Sequence, residues 1–350
     1  MHQAAREWRF RPHPLLKSGH LQSFAGIYLP RRDSPYQALQ RRIELEDGDQ
    51  IVLHEDAPCD PGDDRPCVLM IHGLAGYYLS TYMCRMADRL VERNYRVFRM
   101  DMRGCGAGQQ IARTPAHCGQ SGDVAAALEA IAEWYPDSPT QLVGFSMGGT
   151  LALNLLAEAE YARIGNLERS LVICPPIDLK ASELGFRTLM GRRYDRFFVR
   201  LLWKQVLARW QVFPDLVPES VPSRPKRLSD IDEMIIAPAG GFRSAEEYYQ
   251  QTSPGPKLAS ICQPVTIAAA EDDPVVPVAP LHSCRLSPSV ELVTTSHGGH
   301  LGFLGSRNGD PDFRWLDWRI IDWLQHGSPT QPAPADRREL SDRGRISDSV

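Results

Sequence analysis

Excess charge of either sign is almost absent from this chain. Its 350 residues include 39 lysines and arginines and 43 aspartates and glutamates, which gives a formal net charge of −4. Proteins that hold nucleic acid need a concentration of positive charge to neutralise phosphates. We therefore expect no nucleic-acid partner, and the small acidic balance indicates no other particular partner.

Long apolar runs are also missing. No uninterrupted stretch approaches the ~18 residues that a membrane-spanning helix needs. The opening residues, MHQAAREWRFRPHPLLKSGH, lack the apolar core and cleavage site of a secretory signal. We therefore expect a soluble protein and, by default, a cytoplasmic one.

Cysteine is scarce and scattered. The chain has eight cysteines with no C-x-x-C pair, and most lie beside apolar residues, as in CVLM at residues 67–70. This pattern is typical of buried free thiols in a reducing compartment. No cluster of metal ligands stands out, so neither a metal nor an organic cofactor is expected.

Short apolar runs that alternate with helical patterns fill most of the chain. The runs are CVLMI, YRVFRMD, TQLVGF, SLVIC, PVTIAAA and VELVTT. Fully apolar strands between helices are typical of an α/β fold, in which helices cover both faces of a mostly parallel twisted sheet. Ligands of such sheets bind beyond the carboxyl ends of the strands.

The alternation divides the chain into four parts. An N-terminal extension without a clear period is expected to pack on the core, and a helical cap is expected to interrupt that core. A tail that lacks aromatic residues and periodicity is predicted to be disordered. The extension is residues 1–40, and the tail is residues 327–350. The core consists of residues 41–177 and 259–326, and the cap, residues 178–258, lies between its two pieces.

One serine stands among glycines where TQLVGF gives way to a helical pattern. Residues 142–150 read LVGFSMGGT and contain Gly144-x-Ser146-x-Gly148. Chance alone produces this pattern in about one such chain in seven, so the pattern is weak by itself. A strand-to-helix turn, however, exposes the hydroxyl and aims helix amides at developing negative charge. We therefore predict that Ser146 is a nucleophile and not merely part of a structural turn.

A serine hydroxyl needs a base to remove its proton. The last strand is followed by HGGHLGF, which contains His297 and His300. His300 is preferred because two glycines precede it and LGF follows it, although His297 lies nearer the strand end and stays open.

The carboxylate that orients the base is expected after the preceding strand, where EDDPVVP contains Asp272 and Asp273. Only one of two adjacent residues can face the histidine. Asp273 is preferred because Pro274 fixes the chain beyond it. Asp272 stays open, and so does Asp178, which follows the earlier apolar strand SLVIC.

Catalysis at a carbonyl also needs donors for the charge that builds on its oxygen. His72-Gly73-Leu74 ends the first apolar strand and offers the backbone N–H of Leu74. The N–H of Met147, directly after the serine, is the second candidate. His72 is expected to brace the loop, and Cys105 is expected to pack a loop and not to act as a second nucleophile.

Together these residues resemble the α/β-hydrolase superfamily and, within it, the YheT-like esterase and lipase family. The resemblance covers about residues 10–325 and includes HPLLKSGHLQS, MDMRGCGAG and DEMIIAPAGGFRSAEEYYQQTSP. It places the nucleophile, acid and base at Ser146, Asp273 and His300. It implies an α/β-hydrolase fold and cofactor-free hydrolysis of short acyl esters or glycerolipids through an acyl-enzyme.

Alternatives to ester hydrolysis remain. The same triad supports acyl transfer when an alcohol or thiol replaces water, and some hydrolase folds without a triad only bind ligands. The stretch FFVRLLWKQVLARW joins bulky apolar residues to Arg and Lys, as helices that touch a lipid surface do, but a buried lid helix explains it too. The acyl length, the alcohol group and the oligomeric state stay open.

Overall fold

The computed structural model describes residues 8–29, 37–58, 64–161, 163–218, 223–307 and 309–327. An eight-stranded sheet lies at its centre, in the order β1-β2-β4-β3-β5-β6-β7-β8. The strands are β1 (Leu39–Glu44), β2 (Gln50–Asp56), β3 (Cys67–Ile71), β4 (Arg96–Asp101), β5 (Thr140–Phe145), β6 (Leu167–Ile173), β7 (Val265–Ala270) and β8 (Val290–Thr295).

All pairs from β4 through β8 are parallel, and the antiparallel pairs are those of β2 with β1 and β4. A hairpin around Asp47-Gly48 joins β1 to β2, and Glu44 pairs with Gln50 across its turn. Gly48 has a φ of +81° there, a left-handed conformation that favours glycine. The hairpin therefore extends the parallel part of the sheet by two antiparallel strands at one edge.

Helices surround the sheet. They are α1 (Gly19–Tyr28), α2 (Thr81–Val91), α3 (Ser121–Trp134), α4 (Met147–Ala157), α5 (Leu179–Phe186), α6 (Gly191–Val212), α7 (Leu228–Ile231), α8 (Ala237–Ala239), α9 (Ala245–Thr252), α10 (Ala279–Ser283) and α11 (Trp315–His326). A π-helical turn, Asp232–Ile236, joins α7 to α8.

Both faces of the sheet are buried, as the apolar strands predict. Alternate residues of β3 point to opposite sides, so Leu69 packs with α3 and α4 while Met70 packs with α2 and α11. Each side has its own apolar cluster, and the strands themselves are fully buried from β3 to β5. The predicted fold class, a mostly parallel sheet between two helical layers, is confirmed.

Helices α5 to α9 lie between β6 and β7, where the sequence breaks its alternation. The longest of them, α6, buries Tyr194, Val199, Trp203 and Val206 along one face. Its opposite face exposes four cations at helical spacing: Arg192, Arg196, Arg200 and Lys204. An amphipathic helix of this kind packs on the core with its apolar stripe and presents charge to solvent.

Helix α1 forms within the first forty residues, where the sequence shows no clear period. Its buried positions hold Gly19, Gln22 and Ser23, so no stripe of large apolar side chains reveals the helix. Ser80 stands at the N-cap of α2, where its hydroxyl accepts from the Tyr77 N–H and makes no capping bond to the helix.

No helix among the described residues has the length and apolarity to cross a bilayer. Within the same residues, the cysteines at 67, 84, 105, 118, 174, 262 and 284 are free, and the first five of these are buried. Apart from residue 327, the predicted disordered tail falls outside the described residues.

Candidate active site

Ser146 stands at the turn between β5 and α4 in a strained backbone conformation. Its φ of 51° and ψ of −119° are uncommon for a residue with a side chain. The flanking glycines make the turn possible, since a Cβ at Gly148 would lie 2.4 Å from the Ile71 carbonyl oxygen and one at Gly144 would lie 2.7 Å from the Gly148 oxygen. The turn therefore packs α4 against the sheet and places the serine at the carboxyl end of β5.

The structure brings the three preferred residues into one hydrogen-bonded chain. His300 Nε2 lies 2.9 Å from Ser146 Oγ, and His300 Nδ1 lies 2.8 Å from Asp273 Oδ2. The other carboxylate oxygen, Oδ1, accepts from the backbone N–H groups of Val275 and Val276 at 2.8 and 2.9 Å. Because both oxygens are held, the carboxylate fixes the orientation of the imidazole. The three residues follow β5, β7 and β8.

The rival candidates have other partners. Asp272 accepts from the Gly299 N–H at 2.9 Å and contacts His297 Nδ1 at 3.2 Å, so it braces the loop that carries the histidines. The His297 ring is 46% exposed and lies on the side of that loop turned to Asp272. Asp178 caps α5 by accepting from the Ala181 N–H at 2.8 Å. Among the described residues, none of these three forms a hydrogen bond with Ser146.

The two candidate oxyanion donors lie beside the serine. The Gly73 N–H is already used, because it donates to Tyr82 Oη at 2.9 Å. Among the described residues, neither the Leu74 nor the Met147 amide donates to a protein group, and both residues line a cavity with Ser146. The loop that carries Leu74 can lie this close to Ser146 because residue 73 is a glycine, where a Cβ would lie 3.1 Å from the serine Cβ.

His72 and Cys105 have the surroundings of structural residues. His72 is fully buried, its Nδ1 lies 2.8 Å from the Gly73 oxygen, and Nε2 accepts from the Met102 N–H. Burial lowers its pKa below the ordinary value, so the ring stays neutral while it braces the loop. Burial, assisted by the Asp101 carboxylate, raises the pKa of the Cys105 thiol to about 12, which leaves almost no thiolate to act as a nucleophile.

Helix α1 supports the histidine loop, which the sequence analysis missed. Ser23 Oγ accepts from the His300 N–H at 2.8 Å and donates to the Gly19 oxygen at 2.7 Å. The backbones of α1 and of the loop that carries His300 also pack directly against each other. A Cβ at Gly299 would lie 2.2 Å from the Gly19 oxygen, and one at Gly302 would lie 2.4 Å from the Gln22 oxygen. The glycines around His300 thus make room for α1. The available signal was that the segment HPLLKSGHLQS takes part in the family resemblance, because nothing in its sequence shows that Gln22 and Ser23 are buried.

One group of potential metal ligands coincides with this site. The ligand atoms of Cys174, Asp273 and His300 lie within 4.8 Å of one another. Both ring nitrogens of the histidine, however, are already engaged, and burial raises the pKa of the Cys174 thiol well above its ordinary value. A metal would need a thiolate and a free ring nitrogen, so the arrangement is better suited to proton transfer.

Ser146 lies between two cavities. Cavity A, of about 100 Å³, is lined by Leu74 and Met147 on the core side and by side chains of α5, α6, α7 and α9. Cavity B, of about 330 Å³, is lined by His300, by residues of α1 and by Phe197 of α6. An ester held at Ser146 can therefore extend in two directions.

Sequence comparison gives this geometry its context. The profile of the alpha/beta hydrolase fold matches residues 66–306, more than half of the chain. The chain belongs to the α/β-hydrolase family. "Putative esterase YheT" of Escherichia coli (strain K12) is 30% identical to this hydrolase over 312 residues, with 87% of this chain and 89% of YheT covered. The predicted YheT-like membership is thereby confirmed.

Other relatives carry related names. "Phospholipase ABHD3" of Mus musculus is 27% identical over 282 residues, with 77% of this hydrolase and 67% of the relative covered. "Monoacylglycerol lipase" of Saccharomyces cerevisiae is 25% identical over 292 residues, with 81% and 63% covered. The Pyrococcus furiosus esterase Pf2001 superposes with a TM-score of 0.53 at 17% identity, covering 85% of this chain and 98% of that one, and shows the shared fold. The hydrolase is a carboxylic ester hydrolase of the esterase and lipase type.

Proposed function

We propose that the hydrolase cleaves carboxylic esters with Ser146 as nucleophile, His300 as general base and Asp273 as the acid that orients the base. The observation that carries the proposal is the continuous hydrogen-bond chain from Ser146 Oγ through the imidazole to Asp273 Oδ2. His300 takes the serine proton while Oγ attacks the ester carbonyl. The carboxylate keeps a proton on Nδ1 and stabilises the imidazolium that forms.

His300 then gives its proton to the alcohol oxygen as the carbon–oxygen bond breaks. Water attacks the acyl-enzyme with the same histidine as base, and the acid product leaves. We assign the developing oxyanion to the N–H groups of Leu74 and Met147, which have no competing protein acceptor among the described residues. Met147 also begins α4, whose N-terminus carries partial positive charge.

We assign the two halves of the ester to the two cavities from the position of the histidine. The leaving oxygen must lie near His300 Nε2, because that nitrogen protonates it. His300 lines cavity B but not cavity A. We therefore place the alcohol group in cavity B and the acyl chain in cavity A. The larger volume of cavity B suits a bulky alcohol such as the glyceryl part of a glycerolipid.

We assign the role of cap to residues 178–258, because their side chains close cavity A over the serine. Phe186, Leu202, Leu228 and Tyr249 all line that cavity. The apolar side chains in this lining favour an acyl group that is mostly alkyl. Cap and core together thus select the acyl group.

We also propose that the mouth of cavity B makes transient contact with an anionic lipid surface. Ile27 lines this cavity, and both Ile27 and its neighbour Tyr28 are exposed large hydrophobic residues. Arg196 and Arg200 flank the Phe197 that lines the same cavity. Exposed apolar residues beside cations are the combination that binds interfacially to anionic lipids.

The lipid contact is tested with vesicles of phosphatidylcholine alone or mixed with phosphatidylglycerol. We expect the wild type to cosediment with the anionic vesicles only, and Arg196→Glu/Arg200→Glu to lose this binding. Arg285→Glu, at another exposed arginine, is the matched control and should bind normally. Equal sedimentation of wild type and double variant would rule the contact out.

The catalytic proposal is tested with a fluorophosphonate probe and a panel of p-nitrophenyl esters. Ser146→Ala should lose labelling and at least about a thousandfold in kcat/KM, while Ser283→Ala, at an exposed serine of α10, should retain both. An unlabelled wild type would favour a binding function instead. Glycerol added as a competing alcohol separates hydrolysis, which yields free acid, from acyl transfer, which yields a new ester.

A further inference from the structure

The wall that the cap contributes to cavity A carries carboxyl groups. Glu183 of α5 and Asp232 of the π-helical turn both line the cavity, together with Tyr249 of α9. We call these three residues the acidic wall. A cavity that holds only alkyl chains gains nothing from buried carboxyls, because removing them from water costs free energy unless they find partners.

Asp232 is only half satisfied by the protein. It is 9% exposed, and Tyr249 Oη donates to its Oδ2 at 2.6 Å. No other group among the described residues bonds to this carboxyl, so Oδ1 has no protein partner. Burial, opposed by the Tyr249 hydrogen bond and reinforced by Glu183 and Asp195, raises the pKa of Asp232 to about 7. Near neutrality the carboxyl can therefore accept or donate a hydrogen bond.

Glu183 repeats the pattern. It is 7% exposed, and its Oε1 accepts from Arg187 Nε at 2.8 Å. Its Oε2 is buried and has no hydrogen-bond partner among the described residues. Buried side-chain oxygens are nearly always hydrogen-bonded in native proteins. On this wall Glu183 Oε2 is fully enclosed and Asp232 Oδ1 is not, so Asp232 Oδ1 is the oxygen whose missing donor a ligand in cavity A can supply.

The backbone at Asp232 supports the same conclusion. A π-helical turn widens the helix by one residue and is less stable than the α-helical continuation, so such turns are rare and are found mostly at functional sites. Here the turn starts at Asp232 itself, directly after α7. Both the π-helical turn and the burial of a carboxyl cost folding free energy, and a purely apolar cavity wall would require neither.

We propose that the acidic wall binds a hydrogen-bond-donating group, a hydroxyl or an ammonium, carried on the acyl chain of the substrate. This inference rests on the proposed function, because it takes Ser146 as the nucleophile and cavity A as the acyl site. A hydroxyl would donate to Asp232 Oδ1, whereas a plain alkyl chain leaves that oxygen unpaired. Sites built to bond a substrate hydroxyl reject the analogue that lacks it.

The test compares p-nitrophenyl esters in matched sets. Each set has one acyl length, from butanoyl to decanoyl, and ends in a methyl group, a hydroxyl or an ammonium. We expect wild-type kcat/KM to favour a polar end by at least about tenfold at one length or more. Asp232→Leu should abolish that preference and improve turnover of the alkyl ester, whereas Glu246→Gln, on the exposed side of α9, should change nothing.

A second variant separates the two donor chemistries and does not depend on the leucine variant folding. Asp232→Asn keeps hydrogen-bonding capacity without charge, so it should retain a preference for the hydroxyl and lose one for the ammonium. Equal kcat/KM for all three ends at every length, with alkyl esters turned over by Ser146, would overturn the inference and leave the proposed function intact. An absence of Ser146-dependent turnover with every ester would overturn both.

Discussion

Replacement of Gly19 by alanine is a stringent test of how α1 takes part in catalysis. Gly19 is the first residue of α1, and a Cβ there would lie 1.8 Å from the Asp272 carbonyl oxygen. Carbon atoms do not approach backbone oxygen below 3.0 Å, and the oxygen cannot rotate away because it belongs to the backbone. Either the helix or the loop must therefore move by roughly 1 Å, the scale at which misplaced catalytic groups lose about a hundredfold in rate.

The shift would reach the histidine through two hydrogen bonds. One helical turn beyond Gly19, Ser23 accepts from the His300 N–H, and Asp272 accepts from the Gly299 N–H in the same loop. We expect kcat of Gly19→Ala to fall by about a hundredfold and the unfolding free energy to fall by about 1–3 kcal/mol, the usual cost of overpacking. KM should change less, because cavity A is walled by the cap and the core.

Gly122→Ala is the matched control. Gly122 is likewise in the first turn of a helix, α3, but a Cβ there would meet nothing closer than Tyr161 Oη at 3.9 Å. This variant should keep full activity and gain about 0.5–1 kcal/mol of stability, because alanine is the better helix former. The measurements are kcat and KM on a p-nitrophenyl ester and thermal unfolding. A folded Gly19→Ala protein with wild-type kcat would refute a role of α1 in holding the histidine.

Three further predictions follow from the same contacts. Asp273→Asn should lose about four orders of magnitude in kcat, and Asp272→Asn should lose far less; steady-state kinetics that reverse this order would move the catalytic acid to Asp272. The pKa of Asp232 rises on folding from 3.8 to about 7, so the folded state binds this proton more tightly and the unfolding free energy should fall as pH rises across that interval. Asp232→Asn should flatten this part of the profile in urea unfolding, and an unaltered profile would contradict the assignment. Iodoacetamide should label the exposed Cys262 of the native enzyme without loss of activity and spare the buried Cys105, whose thiol is held protonated; inactivation that tracks modification of Cys105 would contradict its structural role.

The sequence predicts the sheet well because its strands are short, fully apolar and separated by helices, and burial on both faces leaves few other arrangements. It also predicts the position of Ser146, since glycines at 144 and 148 are needed wherever a helix turns so closely back on a strand. The choice between Asp272 and Asp273 was harder, because adjacent residues differ only in the direction that the loop gives them. The backbone amides of Val275 and Val276 hold Asp273 in place. Because every residue type except proline supplies such an amide, the sequence does not show which carboxylate these amides bind.

Other features could not be predicted for a different physical reason. Helix α1 is buried through glycine, glutamine and serine, so its inward face lacks the apolar period that indicates a helix. The acidic wall depends on how α5, α7 and α9 pack together, and a lone carboxylate within a helical insertion looks like any solvated one. In both cases the burial of polar groups is decided by tertiary packing, and sequence periodicity does not record it.

The contact between α1 and the loop that carries His300 has a practical consequence for the choice of truncated variants of this protein. The region that similarity delimits, residues 66–306, contains every group to which we assign a chemical step, yet it leaves out Ser23 and the glycine on which it rests. A shortened enzyme of that extent would keep all the reactive groups but would lose the hydrogen bond from the His300 N–H to Ser23 and the packing of α1 on that loop. The region of sequence similarity therefore contains the reacting groups, whereas the smallest active enzyme should also include α1.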